Sequence, residues 1–186
     1  MNIRIAEIIE TPDFQWFRVY KNGNSSVMQC IQDKYKKEDI IYNTPRLSNT
    51  KPRWVVIRDP YERFISGLKY DLDRHNVDIK DIDIKKLFTP NEHHYINLAR
   101  NNINHTVSQF ASIMNAQVGH YVDMEDLDLF LKMHFGKSVR LNQNTKDTEL
   151  NINKEEVMKY LTFDYYVYNI IKKSPFFWEW QHGRIF

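Results

Sequence analysis

Arg53-Trp54-Val55-Val56-Ile57-Arg58-Asp59-Pro60-Tyr61-Glu62-Arg63-Phe64-Ile65-Ser66-Gly67-Leu68-Lys69 reads as a buried strand, a sharp turn and a helix. Trp54 to Ile57 is an unbroken apolar run with β-branched residues, which suits a strand covered on both faces. Asp59 can accept from the first free helical N–H groups, Pro60 suits the first helical position, and Glu62 falls where a capping box wants a carboxylate. Tyr61, Phe64, Ile65, Leu68 and Leu72 recur at helical spacing and give the helix one apolar face. Arg58 stands at the joint, where the strand ends and the helix begins. In open α/β sheets that edge binds ligands, and a helix N-terminus with an arginine beside it suits a phosphate. Pairing with Asp59 or another surface carboxylate is the alternative. Ser66, about two turns into the helix, offers a hydroxyl to the same region.

Upstream, Phe14 to Tyr20 is rich in aromatic and β-branched residues and reads as the first core strand. Lys21-Asn22-Gly23-Asn24-Ser25-Ser26 follows as a loop, and Val27, Met28, Ile31 and Tyr35 mark a helix that begins near Ser25. Strand, small-residue loop and helix make the geometry of a phosphate cradle: backbone N–H groups face the anion, Gly23 allows close approach and Lys21 brings charge. An Asn-Gly pair between a strand and a helix also serves as a plain turn. The Walker A sequence is missing, since the lysine precedes the loop.

Downstream, Ile40-Ile41-Tyr42 suits a short strand, and Asp71 to Lys86 a charged loop or short helix. Helical patterns run from about Asn91 to Ala99 and from Thr106 to Met114. Val118 to Val122 is the next strand, a helix follows with Leu127, Phe130 and Leu131, and Ser138 to Leu141 is a last short strand. Asn153-Lys154-Glu155-Glu156 caps a further helix, Phe163 to Lys173 is an aromatic-rich one, and Phe176 to Trp180 is an aromatic tail. Strands alternating with helices imply a three-layer α/β/α arrangement around a central parallel sheet.

With 186 residues the chain suits a single domain, 1–186, and with 42% hydrophobic and 27% charged residues it has an ordinary globular composition. The net charge of +2 gives no bulk electrostatic case for nucleic acid. Cys30 is the single cysteine, so no internal disulfide framework is possible. No signal peptide and no long apolar run is legible, and a cytoplasmic setting without a membrane span is expected. Asn24-Ser25-Ser26 and Asn104-His105-Thr106 match glycosylation acceptors formally, but a glycan on the first would block the loop. His93-His94 is a bare pair with no metal-ligand spacing around it, and no metal is expected.

The Lys21 loop and the Arg58–Ser66 element, in that order, resemble the sulfotransferases that use 3′-phosphoadenosine 5′-phosphosulfate (PAPS), most closely their carbohydrate (Golgi-type) branch. Arg58-Asp59-Pro60-Tyr61-Glu62-Arg63-Phe64-Ile65-Ser66 matches that branch's R-D-P-x-x-R-x-x-S pattern throughout, and Lys21 to Ser26 matches its first loop more loosely. Weaker similarities follow in His105-Thr106-Val107-Ser108-Gln109 (H-x-x-x-Q), in Tyr121-Val122-Asp123-Met124-Glu125-Asp126-Leu127 (a strand ending in an E-x-L turn), in the Leu141-Asn142 to Lys146 loop and in Phe163-Asp164-Tyr165-Tyr166 (a terminal D-Y-x-x-F/Y helix). The chain departs from the family in being short, in lacking the usual membrane anchor, and in having no histidine between Tyr42 and Pro52.

The resemblance implies a P-loop-NTPase-like sulfotransferase fold and a transfer of the sulfuryl group from PAPS to a hydroxyl or amine of an acceptor, with a carbohydrate as the expected partner. It implies that Lys21 neutralises charge on the departing 5′-phosphate and that Asn22, Gly23, Asn24, Ser25 and Ser26 hold that phosphate through backbone N–H groups and the two serine hydroxyls. Arg58 and Ser66 would clamp the 3′-phosphate. His105 is the candidate general base, with Glu38 and His94 in reserve, while Glu125 is expected to cap or brace its turn. Two rivals remain: a small nucleotide kinase, which would need a Walker A loop and a magnesium-binding carboxylate after a core strand, and a non-catalytic nucleotide-binding module that has lost its base.

Overall fold

The computed structural model describes residues 6–87, 108–113, 118–141 and 150–174. Strands β1 (Glu7–Glu10), β2 (Gln15–Arg18), β3 (Ile41–Tyr42), β4 (Arg53–Ile57) and β5 (His120–Asp123) form one sheet in the order β3-β1-β2-β4-β5. Helices α1 (Asn24–Lys34), α2 (Pro60–His75), α3 (Ile84–Leu87), α4 (Gln109–Ile113), α5 (Leu127–Phe135), α6 (Lys154–Tyr160) and α7 (Thr162–Lys172) accompany it.

Alternation along the strands sorts the core into two faces. Ile9, Trp16, Trp54 and Val56 point to one side and pack with Val27, Met28 and Ile31 of α1 and Leu127, Phe130 and Leu131 of α5. Ile8, Phe17, Val55 and Ile57 point to the other and meet Phe110 and Ile113 of α4 and Tyr168 and Ile171 of α7. Helices thus cover both faces, as the alternation of elements implied. A third cluster joins Phe64, Leu68 and Leu72 of α2 to Val157 and Leu161 at α6. Truncating a fully buried side chain such as Trp16 or Phe64 to alanine should cost about 3–5 kcal/mol.

The sheet is mixed, not parallel throughout. β2, β4 and β5 are parallel, but β1 pairs antiparallel with both β2 and β3. The cause is local. Thr11 closes a tight turn onto Phe14, with N–H and Oγ1 both donating to Phe14 O at 2.9 Å, and so short a connection can only make a hairpin. β1 carries no strand signature in the sequence, because Glu7-Ile8-Ile9-Glu10 has just two apolar residues between acids.

The expected strand at Ser138–Leu141 does not form. Ser138 Oγ and the Arg140 guanidinium both bind the Asp128 carboxylate, and Leu141 N–H donates to Ser26 Oγ at 3.1 Å, so the segment is tied to α5 and α1 instead of to a strand. Of the loop or short helix expected after the central helix, the helix forms: α2 runs on to His75, ends at Asn76 in the left-handed region, and is followed by a 3-10 turn at Ile79–Asp81 and α3. Residues 88–107, which include the expected 91–99 helix and His93 and His94, lie outside the described residues, as do the 142–149 loop and the aromatic tail.

One topological feature places the site. β2 leads through α1, on the first face, to β3, which lies to one side of β2 and runs parallel to it. β4 leads through α4, on the second face, to β5 on the opposite side. The chain therefore departs from two neighbouring parallel strands in opposite directions, and the crevice between their carboxyl ends is the switch point where open α/β sheets bind ligands. Lys21 follows β2 at that edge and Arg58 follows β4.

Candidate functional site

Local chemistry fixes the Arg58 turn. Asp59 Oδ1 accepts from Glu62 N–H at 3.0 Å and Pro60 opens the helix, as the sequence predicts. The Glu62 carboxylate does not complete the box; it receives Arg58 Nε at 3.3 Å. The Arg58 main chain is held from the other side by Gln109, whose Oε1 accepts from Arg58 N–H at 3.1 Å and whose Nε2 donates to Arg58 O at 2.7 Å. Gln109 thereby extends the β4 ladder with a side chain. Its Oε1 also accepts from Asn22 Nδ2 at 2.9 Å, and Asn22 Nδ2 donates further to Val56 O at 2.7 Å. Asn22 and Gln109, each 1% exposed, are therefore a strut across the switch-point crevice.

The Lys21 loop turns sharply. Lys21 has φ 66° and Gly23 φ 68°, and a left-handed backbone at a lysine costs on the order of 1 kcal/mol. Gly23 is needed for space as well: a Cβ there would lie 2.4 Å from Leu127 Cδ2. The close approach that glycine allows is thus made by the turn after β5. Asn24 spends its side chain on Val19 O and on Trp16 Nε1, which also leaves the amide engaged at this formal glycosylation position. Ser26 N–H closes onto Gly23 O, and Ser26 Oγ accepts from Leu141, keeping its own proton to donate. Ser25 is exposed. The N–H groups of Gly23 and Asn24, at the start of α1, find no acceptor among the described residues.

Lys21 directs its ammonium over Tyr70, 3.4 Å from the ring centroid. Burial, aided by Arg58 and Arg63 and opposed by Asp71, pulls its pKa down to about 8. Arg63 is buried, donates through Nε to Tyr20 O at 3.1 Å, and is itself lowered to about 10 by desolvation and Arg58, with Asp164 acting the other way. Burial in turn raises the pKa of Asp164, whose carboxylate accepts from Ser108 Oγ at 2.7 Å and from the first N–H groups of α4. Lys21, Arg58 and Arg63 thus gather near the carboxyl ends of β2 and β4, where burial and the charge of Arg58 lower Lys21 and Arg63. Such crowding is a mark of functional sites.

Ser66 is half-buried on α2, one turn beyond Glu62 and one before Tyr70. Arg58 touches the first of that row and Lys21 the last, so the two cations flank Ser66 along about 12 Å of helix.

A cavity of about 290 Å³ opens beside Arg58, just under the usual size of small-molecule sites. Gly23 and Ser26 line it from α1, Arg58, Asp59 and Glu62 from the head of α2, and Asp123, Met124, Glu125, Leu127 and Asp128 from the turn after β5. Val139, Arg140, Leu141 and Tyr168 complete the rim. Lys21 and Ser66 stand outside this lining, and His105 lies outside the described residues.

Most of the acidic lining is neutralised from within. Tyr165 OH donates to both oxygens of Asp59 at 3.0 Å, and Tyr168 OH donates to Asp123 at 2.7 Å, with Lys172 3.1 Å from the same carboxylate. Burial and these carboxylates hold both phenols well above the ordinary tyrosine range. Asp123 Oδ1 also caps the next turn through Glu125 N–H at 3.1 Å, a role the sequence suggested for Glu125. α7 therefore braces two adjacent strand ends. Gln109 had a signal, as the last residue of the H-x-x-x-Q stretch; Asp123 lay in the stretch that ends in the E-x-L turn, and Tyr168 at the end of the D-Y-x-x-F/Y pattern that starts at Asp164, though neither motif named their contact.

No protein-family model, no curated protein and no solved structure matches the chain. The resemblance to PAPS-dependent sulfotransferases accordingly rests on sequence motifs alone. Among the described residues, no helix is long and apolar enough to cross a membrane, and no group of three or more His, Cys, Asp or Glu side chains could hold a metal ion.

Proposed function

We propose that the chain is a PAPS-dependent sulfotransferase that moves a sulfuryl group to a hydroxyl or amine of an acceptor, a carbohydrate by its motif type. The observation that carries this reading is that Lys21 and Arg58 follow the two parallel strands that flank one switch point, the first lowered chiefly by burial and further by the charge of the second. A bound phosphate there would relieve the mutual repulsion of Lys21, Arg58 and Arg63, and each cation would gain from it.

PAPS would supply the activated sulfuryl group. Arg58, with its main chain locked by Gln109, would hold one phosphate at the head of α2, and Ser66 would add a hydroxyl to it. The Gly23 and Asn24 N–H groups and the Ser26 hydroxyl would hold the other. Lys21 would neutralise charge as it grows on the departing phosphate, a task suited to an ammonium that can also release its proton near neutrality. Sulfuryl transfer then depends on positioning and charge, which these residues provide.

A kinase reading would turn to Asp123, a carboxylate at the end of a core strand. That carboxylate is taken by Tyr168, Lys172 and Glu125 N–H, which weakens the case for magnesium. Thermal shift separates the readings. 3′-Phosphoadenosine 5′-phosphate should raise the melting temperature with the logarithm of its concentration above Kd, and ATP with magnesium should not. Stabilisation by ATP with magnesium alone would overturn the proposal.

A further inference from the structure

The carboxylates that line the cavity are Asp59, Glu62, Asp123, Glu125 and Asp128. Asp59 is held by Tyr165 OH, Glu62 by Arg58, Asp123 by Tyr168 and Lys172, and Asp128 by Arg140 and Ser138. Glu125 alone of these has no hydrogen bond or ion pair to its side chain among the described residues. Its place is nonetheless fixed, because its N–H is held by Asp123 at the end of β5. It is exposed at the cavity mouth, and its charge is felt by the Tyr168 phenol beside the same cavity.

An unneutralised carboxylate beside an anion site works against anion binding, so it calls for a task in the reaction. From its place we infer that Glu125 is the general base that takes the proton of the incoming acceptor hydroxyl, an inference that rests on the sulfotransferase reading. A base for this step must meet a group arriving from solvent, keep its lone pairs open and be held by a rigid element. Glu125 meets all three conditions. Of the H-x-x-x-Q stretch that suggested His105, the described residues Ser108 and Gln109 are committed to Asp164 and to Arg58.

The step balances simply. The acceptor oxygen forms its bond to sulfur while its proton passes to the Glu125 carboxylate. The bond between sulfur and the 5′-phosphate oxygen breaks, its electron pair staying on the phosphate near Lys21. The Glu125 carboxyl then returns the proton to water. The charged and titratable groups around Glu125 are Arg58, Asp59 and Glu62 at the head of α2, Asp123 and Asp128 on its own segment, Arg140 on the rim and Tyr168 on α7.

The test is Glu125→Gln, assayed for sulfate transfer from labelled PAPS to a glycan panel and for release to water, with the affinity for 3′-phosphoadenosine 5′-phosphate measured by calorimetry. Turnover should fall about 100-fold or more, the acid limb of the pH profile should disappear, and nucleotide affinity should hold or improve. Glu125→Asp should recover part of the rate. Turnover within a few fold of wild type, with nucleotide binding intact, would overturn the assignment and leave the sulfotransferase reading standing. The same holds for a matched loss of turnover and affinity, or for a pH limb that vanishes with His105→Ala instead. A wild-type chain that fails to bind the nucleotide would bring down both.

Discussion

Lys21→Met should make the protein more stable and less able to bind nucleotide. The Lys21 ammonium is held at about 8 against an ordinary 10.5, chiefly by burial. At pH 7 that displacement amounts to an upper bound of about 3 kcal/mol against folding, from 1.36 kcal/mol per pKa unit. Partial exposure to water and loss of the contact with Tyr70 reduce the expected gain to about 1–2 kcal/mol. For a chain of this size that is a rise of roughly 3–6 °C in Tm. The folded pKa is the lower one, so between about 8 and 10.5 the unfolded chain binds a proton that the folded chain has released. Wild-type stability must therefore climb with pH through that window, and the gap to Lys21→Met must close. Urea melts at pH 7 and pH 10.5 measure it. A variant less stable than wild type at pH 7, or a gap that ignores pH, would refute the burial of a strained cation. Calorimetry on the same variant should show nucleotide affinity lost.

Arg58→Ala should weaken binding of 3′-phosphoadenosine 5′-phosphate more than 10-fold while costing under about 1 kcal/mol of stability, because its pair with Glu62 is open to water; calorimetry and melts on one sample report both. Gly23→Ala should cost about 2 kcal/mol or more through its left-handed φ and the collision with Leu127. Adding Leu127→Ala should relieve the collision, so the double variant should lose less than the two single effects combined. Gln109→Leu strands the Arg58 N–H and C=O and one Asn22 donor, which should cost about 3–5 kcal/mol by denaturant melts.

Features set by near neighbours were legible in the sequence. Asp59 and Pro60 start α2, Asn153 caps α6 through Glu156 N–H, and the apolar run of β4 is buried as its composition implied. These depend on a few adjacent residues whose chemistry leaves little choice. Partner choice at long range was not legible. Glu62 lies three residues from Asp59, as a capping box requires, yet Arg58 claims its carboxylate once both side chains leave the sheet edge together. Asn22 meets Gln109 across 87 positions, and Tyr165 meets Asp59 across 106. Nothing in a single sequence marks such pairs, because the sheet order that joins them is a global property. The loop after β2 shows the same limit: its small residues suggested a cradle, but Asn22 and Asn24 turned out to be struts that set its shape.

Stability and binding are coupled in this site only in part, and the division follows from which atoms are shared. Gln109 satisfies the backbone of Arg58 and the side chain of Asn22 with one amide, so the groups that hold the crevice together also aim its cation. Asp123 likewise caps a turn of the fold while its Tyr168 and Lys172 partners quiet a charge beside the cavity. Variants in this shared set should lose folding free energy and nucleotide affinity together. Lys21 and Glu125 stand apart, since the first is held at a cost to the fold and the side chain of the second bonds to nothing among the described residues. A plot of stability against affinity across the variants should therefore split in two: the strut residues losing both together along one line, and Lys21→Met and Arg58→Ala, which lose affinity without a matching loss of stability, lying off it, with Glu125→Gln near wild type. If all the variants fell on the single line, the crevice would be an ordinary piece of core whose charges serve packing alone.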